Sequence, residues 1–388
     1  MAADEETEIV LAVAKDPGGL AVLTRPMEIL AQDPQVKVVW VAEGLAMKLL
    51  TDAGKTIYGG LPQGDNINSQ TLVRYDIDPV WLLDEALLGK ARLRAVVASM
   101  GAPNNLEGGV VREAVRRGVS TVIVSDIHGS ALRADLSVEE PNLDKVLVTA
   151  LDSEDARLVR EHFNGPKAPF ILVTGSPAFD KFANGAPIEV PPVVRNLIQS
   201  SRCVVFILGQ DDCTTDFLGG PLDLLDSLGG SCLAIVGLHP KFLKVPELCN
   251  LWLDRVKKAK VPVLWATNAA TTHQYMAASN IVISGYSTGL LEGPLLNHGP
   301  LAIAWSSPRV IANMEGAMGG LKVFPAVTYG AAHQVSSPEE LLPHVQRVLE
   351  LSEHGFRDQA RAIIRDRLRV DGKAAERVAA VIRRHAGF

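Results

Sequence analysis

The feature that most constrains the fold is an alternation of short apolar runs with helix-length segments along nearly the whole chain. In the first half, the apolar runs are EIVLAVA (8–14), VKVVWVA (36–42), RAVVASM (94–100), TVIVSD (121–126), KVLVTA (145–150) and FILVTG (170–175). Buried strands that alternate with helices form a mostly parallel sheet that is covered on both faces. The sequence therefore predicts an α/β fold.

The same alternation restarts after residues 183–192, ANGAPIEVPP, a segment rich in proline and glycine that we take as the domain boundary. Its apolar runs lie at 203–209, 232–239, 261–267, 281–283 and 300–305. The chain has 388 residues, which suits two domains of about 150–200 residues each. We predict two Rossmann-like domains, 1–182 and 193–388, the second ending in amphipathic helices at 338–388.

Composition excludes several classes of function. A net charge of −6 argues against a nucleic-acid binder, which needs a basic surface. No apolar run reaches the ~20 residues that span a bilayer, and the arginines near the C-terminus allow at most a peripheral membrane contact. The acidic start MAADEETEIV does not resemble a secretory signal, so we expect a cytoplasmic protein. Both a monomer and a homodimer are compatible with these features.

Residues 280–300, NIVISGYSTGLLEGPLLNHGP, predict a buried strand, a turn of small residues and a helix. Such a turn leaves backbone N–H groups and hydroxyls near the positive end of the helix dipole, where phosphate binds. Ser284, Tyr286, Ser287 and Thr288 are the candidate residues. The alternative is an ordinary strand-to-helix turn, in which glycine and serine occur for steric reasons.

Four motifs resemble those of the GT-B superfamily, and they occur in the order found there. They are VTGSPAFD (173–180), similar to VTGNPxxD; GLHPK (237–241), similar to an HP motif; SGYST (284–288), similar to TDYSS; and DGKAAER (371–377), similar to DGxAxxR. The superfamily holds glycosyltransferases, UDP-N-acetylglucosamine 2-epimerases, and sialyl-, polysialyl- and glycerophosphotransferases. The resemblance implies two Rossmann-like domains with parallel sheets facing a central cleft, and C-terminal helices that cross back.

The resemblance also implies a donor site in the C-terminal domain. His239 would contact a donor phosphate and Lys241 would add a positive charge, whereas the alternative for His239 is a strand-end histidine bonded to local backbone. Glu292 would accept hydrogen bonds from the ribose hydroxyls, or it is a surface helix carboxylate. Gly209 ends a strand, and its lack of a side chain would let the nucleotide approach the backbone.

The acceptor would face two loops of the N-terminal domain. Gly18 and Gly19 follow the first strand and allow close approach of a substrate, and Asp16 is a candidate base. The alternative for Asp16 is helix N-capping with Pro17 in the first helical position. His128, after another strand, is the second candidate base, and its alternative is a solvated loop histidine.

The leading hypothesis is a glycosyltransferase that moves a sugar from a nucleotide-sugar donor, activated by UDP, CMP or CDP, to a hydroxyl or amine of a small molecule or glycan. We expect no cofactor and no metal ligands. Epimerisation or hydrolysis of the nucleotide-sugar is the first alternative, and a non-catalytic nucleotide-sugar-binding subunit is the second. Residues 128–133, HGSALR, lack the acid of the epimerases' VEAGLR segment, and Gly285 replaces the aspartate of TDYSS.

Overall fold

The computed structural model describes residues 8–55, 79–80, 83, 92–101, 105–185, 188–209, 214–238, 245–266, 271–352 and 354–388. The chain divides into two compact units. Unit 1 comprises Met1–Lys181, Ala317–Gly319 and Leu368–Phe388, and unit 2 comprises Phe182–Gly316 and Gly320–Arg367. The predicted domains differ from these units at the C-terminus, because Leu368–Phe388 counts with unit 1.

Unit 1 contains a parallel six-stranded sheet in the order β2-β1-β3-β4-β5-β6. Its strands are β1 (Glu8–Ala14), β2 (Val36–Ala42), β3 (Arg92–Ala98), β4 (Ser120–Val124), β5 (Val146–Ala150) and β6 (Phe170–Val173). Each of the six apolar runs of the first half contributes one of these strands, which confirms the prediction for this half of the chain.

Unit 2 contains a second parallel six-stranded sheet, in the order β12-β11-β10-β7-β8-β9. Its strands are β7 (Cys203–Leu208), β8 (Cys232–Gly237), β9 (Val263–Trp265), β10 (Ile281–Ser284), β11 (Leu301–Trp305) and β12 (His333–Val335). Five of them were predicted, and β12 was not. Cys203 and Cys232 lie opposite each other in β7 and β8; both are buried and neither forms a disulfide bond.

The α-helices pack on the faces of the two sheets. In chain order, those that the structure describes are α1 (Pro17–Leu30), α2 (Gly44–Asp52), α3 (Leu106–Arg116), α4 (Ser153–His162), α5 (Pro192–Ile198), α6 (Thr214–Leu228), α7 (Pro246–Lys257), α8 (Thr272–Ala277), α9 (Gly289–Leu295), α10 (Pro308–Ala317), α11 (Pro325–Thr328), α12 (Pro338–Leu349), α13 (His354–Arg367) and α14 (Ala374–Ala386). Short 3-10 helices occupy Ser130–Ala134, Leu143–Lys145 and Pro177–Phe182. None of the helices described is long and apolar enough to cross a membrane.

The central strand β1 of the unit 1 sheet is buried on both faces. Val10, Ala12 and Ala14 of β1 belong to a core that includes residues of α1, α2 and α14. Leu11 and Val13, which point to the opposite face, belong to a second core with α3 and Phe163. This two-sided burial explains why β1 is a nearly continuous apolar run rather than an alternating one.

Two of the four motifs form hydrogen bonds between the C-terminal segment Leu368–Phe388 and the rest of unit 1. Asp180, at the end of the first motif, accepts hydrogen bonds from the N–H groups of Ala374 and Ala375 at 3.0 and 2.8 Å, at the start of α14. Arg377, at the end of the last motif, donates from Nε to the Thr174 carbonyl oxygen at 2.7 Å. Gly175 has φ 76°, and a Cβ there would lie 2.7 Å from the carbonyl oxygen of Leu368. These two motifs therefore have a structural role.

Candidate functional site

Each sheet has one point at which the order of its strands reverses. In unit 1 the chain passes from β1 to β2 on one side and then to β3 on the other, so the loops after β1 and β3 diverge. In unit 2 the corresponding neighbours are β7 and β10. Open α/β sheets bind ligands at such points, outside the carboxyl ends of the strands. The predicted residues that the structure describes follow β1, β4, β7 and β10.

The loop after β1 presents Asp16. This residue occupies the N-cap position of α1 with Pro17 at the start of the helix, yet its side chain makes no capping hydrogen bond. The capping interpretation is therefore right about position and wrong about the side chain. Across the reversal point, a Cβ at Gly101 would lie 2.2 Å from Oδ2 of Asp16, so Gly101 is the residue that leaves room for this carboxylate.

Gly18 and Gly19 bring the start of α1 close to the ends of β4 and β3. A Cβ at Gly18 would lie 3.2 Å from Oδ2 of Asp126, and a Cβ at Gly19 would lie 3.3 Å from Cβ of Ser99. The two glycines, predicted to admit a substrate, thus already have side chains against them. Their small size positions Asp126 and Ser99 beside the loop that carries Asp16.

Glu107, in the first turn of α3, is fully buried behind this loop. Its Oε1 accepts a hydrogen bond from the backbone N–H of Lys15 at 2.7 Å, whereas Oε2 is buried without a hydrogen-bond partner among the described residues. Burial raises the pKa of Glu107 to about 7; the Lys15 hydrogen bond acts in the opposite direction. A carboxyl group with this pKa can both give and take a proton near neutral pH.

Asp126, two residues beyond the end of β4, is the third carboxyl group of this edge. Its Oδ1 is buried and has no hydrogen-bond partner in the part of the chain that the structure describes. Burial raises its pKa, and the nearby positive charge of Arg133 opposes the shift. Arg133 in turn donates to the carbonyl oxygens of Met100 and Gly101, which ties the segment after β4 to the end of β3.

His128 lies farther along the same edge and is completely enclosed. Its ring is 0% exposed, and its Nε2 is 3.1 Å from Oδ2 of Asp152. Asp152 caps α4 by accepting hydrogen bonds from the N–H groups of Glu154 and Asp155. The solvated-loop alternative is therefore wrong. A role as base stays a prediction, and it requires the ring of His128 to become accessible to a substrate.

In unit 2, the turn after β10 packs against the end of β7. Ser284 is buried and donates from Oγ to the carbonyl oxygen of Leu208 at 2.8 Å. Ser287 Oγ accepts a hydrogen bond from the N–H of Gly289 at 3.2 Å. Tyr286 is buried, and the carbonyl oxygen of Thr288 accepts from the N–H groups of Leu291 and Glu292. Ser287 and Thr288 are partly exposed at this turn.

Gly209 has a packing reason for being glycine. Its N–H donates to the carbonyl oxygen of Gly237 at 2.7 Å, which continues the pairing of β7 with β8. A Cβ at Gly209 would lie 2.5 Å from Cη2 of Trp252, a ring of α7. The indole of Trp252 fills the space that we had predicted to admit the nucleotide.

Glu292 contacts a histidine that the sequence did not single out. Oε2 of Glu292 is 3.0 Å from Nε2 of His273 in α8, and the two side chains are 15% and 26% exposed. Glu292 is therefore a partly buried, paired carboxylate rather than a free surface group. The predicted contact with ribose stays a prediction.

The remaining predicted residues, His239 and Lys241 of the HP motif, lie outside the described residues. Within the described residues, no group of three or more His, Cys, Asp or Glu side chains could hold a metal ion. Metal independence stays a prediction.

Comparison with known proteins places this geometry in a structural class. No protein-family profile and no curated protein sequence matches the chain. Among solved structures, S. aureus MnaA with UDP has a TM-score of 0.66 at 12% identity, covering 98% of this chain and 97% of that one. The UDP-GlcNAc 2-epimerase from Neisseria meningitidis bound to UDP-GlcNAc has a TM-score of 0.64 at 13% identity, covering 97% and 100%.

A glycosyltransferase from Rickettsia africae has a TM-score of 0.59 at 10% identity, with 98% of each chain covered. Identities this low show a common fold. The predicted GT-B fold is thereby confirmed.

Proposed function

We propose that this chain, which has the GT-B fold, transfers a sugar from a nucleotide-sugar donor to a hydroxyl or amine of an acceptor. The proposal rests mainly on the carboxylate of Asp16, which lies at the reversal point of the unit 1 sheet and makes no capping hydrogen bond to α1. Two of the structurally similar proteins were solved with UDP or UDP-GlcNAc, which supports a uridine nucleotide as the first donor to test.

In this proposal Asp16 accepts the proton of the acceptor group. The acceptor oxygen or nitrogen forms a bond to the anomeric carbon of the donor as the bond from that carbon to the phosphate oxygen breaks. The nucleotide leaves with the electron pair of that bond. Ser287 and Thr288, together with His239 and Lys241, would stabilise the charge that develops on the leaving phosphate.

Glu107 supports the loop that carries the base. Its hydrogen bond to the N–H of Lys15 fixes the residue directly before Asp16. Because Glu107 is buried and its pKa is about 7, it is largely uncharged below neutral pH and adds little repulsion to an ionised Asp16. Above neutral pH, ionisation of Glu107 places a second negative charge beside the loop.

Epimerisation or hydrolysis of the nucleotide-sugar is the second candidate, and one observation favours it. The sequence lacks an acid within residues 128–133, but the structure places the carboxyl group of Asp126 immediately upstream, at the end of β4 and against Gly18. Two carboxyl groups on one edge, Asp16 and Asp126, give the acid and the base that such a reaction needs.

The test is turnover of UDP-sugars by the purified chain and by Asp16→Asn, with Asp52→Asn as the control. Asp52 is an exposed carboxylate at the end of α2. We expect D16N to lower kcat by about 100-fold or more, the range for removal of a general base, and D52N to leave kcat unchanged. Proton NMR distinguishes the products: a new glycoside that depends on acceptor supports transfer, whereas an epimer or free sugar formed without acceptor supports the second candidate.

The same assay with EDTA tests metal independence, and we expect full activity. D16N turnover equal to that of the wild type would contradict the assignment of Asp16 as the base.

A further inference from the structure

The outer strand of the unit 1 sheet carries two apolar side chains that remain largely exposed to solvent. β6 is the edge strand, and within this sheet it pairs only with β5. Phe170 and Leu172 are 59% and 45% exposed. Phe170 lies opposite Leu147, whose side chain belongs to the core on the α1 and α14 face. Phe170 and Leu172 therefore extend that apolar face beyond the helices that cover the rest of it.

Together with α14, these residues form a groove. It encloses a cavity of about 610 Å³, within the range typical of small-molecule sites. Its lining consists of six apolar side chains and two basic ones: Leu147, Phe170, Ile171, Leu172, Ala380, Val381, Arg384 and His385. No acidic side chain is among the described residues that line it. A ligand for this groove is therefore apolar over most of its length.

Arg384 gives the groove a charge preference. It is exposed on the last turn of α14 and makes no hydrogen bond or ion pair with any described residue. The neighbouring arginines differ, because Arg383 pairs with Asp33 and Arg377 pairs with Asp371. His385 is held beside Phe170 by a contact of 2.7 Å between its Nε2 and the carbonyl oxygen of Lys145. An unpaired guanidinium next to an apolar groove favours a carboxylate, which it can bind through two hydrogen bonds.

We propose that this groove binds the anion of a free fatty acid, with the alkyl chain along Leu147, Phe170, Leu172 and Val381 and the carboxylate on Arg384. The site is separate from the reversal point between β1 and β3, since β4 and β5 lie between that point and β6. Its occupancy does not depend on the proposed transfer reaction.

Two other occupants fit less well. A bilayer surface attracts clusters of several unpaired basic residues, whereas the groove presents a concave surface with one unpaired arginine. A second copy that pairs through β6 would gain only four residues of strand, and a two-fold arrangement would bring Arg384 and His385 of both copies to the same interface. Charge complementarity thus favours a small anion.

The test is calorimetric titration of the full chain with laurate below its critical micelle concentration, beside dodecanol as an uncharged ligand of equal chain length. We expect laurate to bind at a one-to-one ratio and at least tenfold more tightly than dodecanol. Arg384→Gln should weaken the binding of laurate at least tenfold and leave the affinity for dodecanol unchanged. Arg160→Gln, which replaces an exposed arginine of α4, is the matched control. It should leave the affinity for both ligands unchanged. The variant Leu172→Lys should weaken the binding of both ligands.

Several results would overturn the proposal. They are absence of laurate binding, equal affinity of the wild type and R384Q for laurate, and binding only to vesicles of anionic phospholipid. A concentration-dependent dimer in light scattering that L172K abolishes would instead assign the groove to a second copy. Unchanged thermal unfolding and circular dichroism of each variant make these comparisons valid.

Discussion

A chain that ends at Arg367 is expected to lose the stable fold of unit 1. The missing segment contains α14, whose Val378, Ala379 and Ile382 are buried in the core beside β1 and α1. Removing them exposes the apolar surface that they cover and costs several kcal/mol, a large part of the roughly 5–15 kcal/mol that stabilises a typical domain. Expression yield, thermal unfolding and limited proteolysis of the truncated chain measure this effect.

A point variant tests the same attachment without deleting a helix. Asp180→Ala removes both acceptors of the Ala374 and Ala375 N–H groups, and we expect it to lower the free energy of unfolding by about 1–3 kcal/mol. Asp144→Ala, an exposed aspartate of the 3-10 helix Leu143–Lys145, is the control and should change it by less than about 0.5 kcal/mol. A truncated chain that unfolds at the temperature of the full chain would show that α14 is not part of the core.

Replacement of Glu107 with Gln is expected to stabilise the protein at alkaline pH and to have little effect in acid. The pKa of Glu107 is raised from 4.5 to about 7 by burial, so the folded state holds a proton that the unfolded state releases. The resulting stabilisation is complete below pH 4.5 and is lost as the pH rises through 7. At pH 8 the Gln variant should therefore be more stable than the wild type by about 3 kcal/mol, relative to their difference at pH 4.

Glu113, on the same helix, provides a control of opposite sign. Hydrogen bonds from Arg116, and then from Arg117, lower its pKa to about 2, so its stabilising contribution is present above pH 4.5 and is lost as the pH falls through 2. Glu113→Gln should therefore destabilise the protein at pH 8, where E107Q stabilises it. Urea unfolding of the three proteins between pH 2 and 8 measures both trends. A difference between E107Q and the wild type that does not change with pH would contradict the proposed ionisation of Glu107.

The fold was largely predictable because buried parallel strands leave a local signal. Eleven of the twelve strands coincide with apolar runs, and the exception, β12, is three residues long and contains His333 and Gln334. Such a strand has no periodicity that distinguishes it from a loop. The assignment of Leu368–Phe388 to unit 1 was not predictable from local pattern, because it depends on contacts such as those of Asp180 with α14, far apart in sequence.

The candidate site was predicted less completely than the fold. Asp16, Gly18 and Gly19 were found because they follow the first strand, where open sheets bind ligands. Glu107 was missed because it lies in the first turn of a helix, a position where acidic residues are common for electrostatic reasons. Its burial and its contact with Lys15 arise only when β1 and β3 lie side by side. His128 was predicted as a residue, but its burial was not, because it depends on contacts such as the one with Asp152, the N-cap residue of α4.

The proposed function requires the turn Ser284–Thr288, at the reversal point of the unit 2 sheet, to bind the nucleotide of an activated-sugar donor. The most direct test is calorimetric titration of the wild type with UDP, CMP, CDP, GDP and dTDP, followed by titration of Ser287→Ala and, as a control in the same unit, Ser227→Ala. We predict that one of these nucleotides binds the wild type, that S287A weakens it by about 1–3 kcal/mol, and that S227A binds it with unchanged affinity. Absence of binding by all five nucleotides, or equal affinity of S287A and the wild type, would contradict the claim.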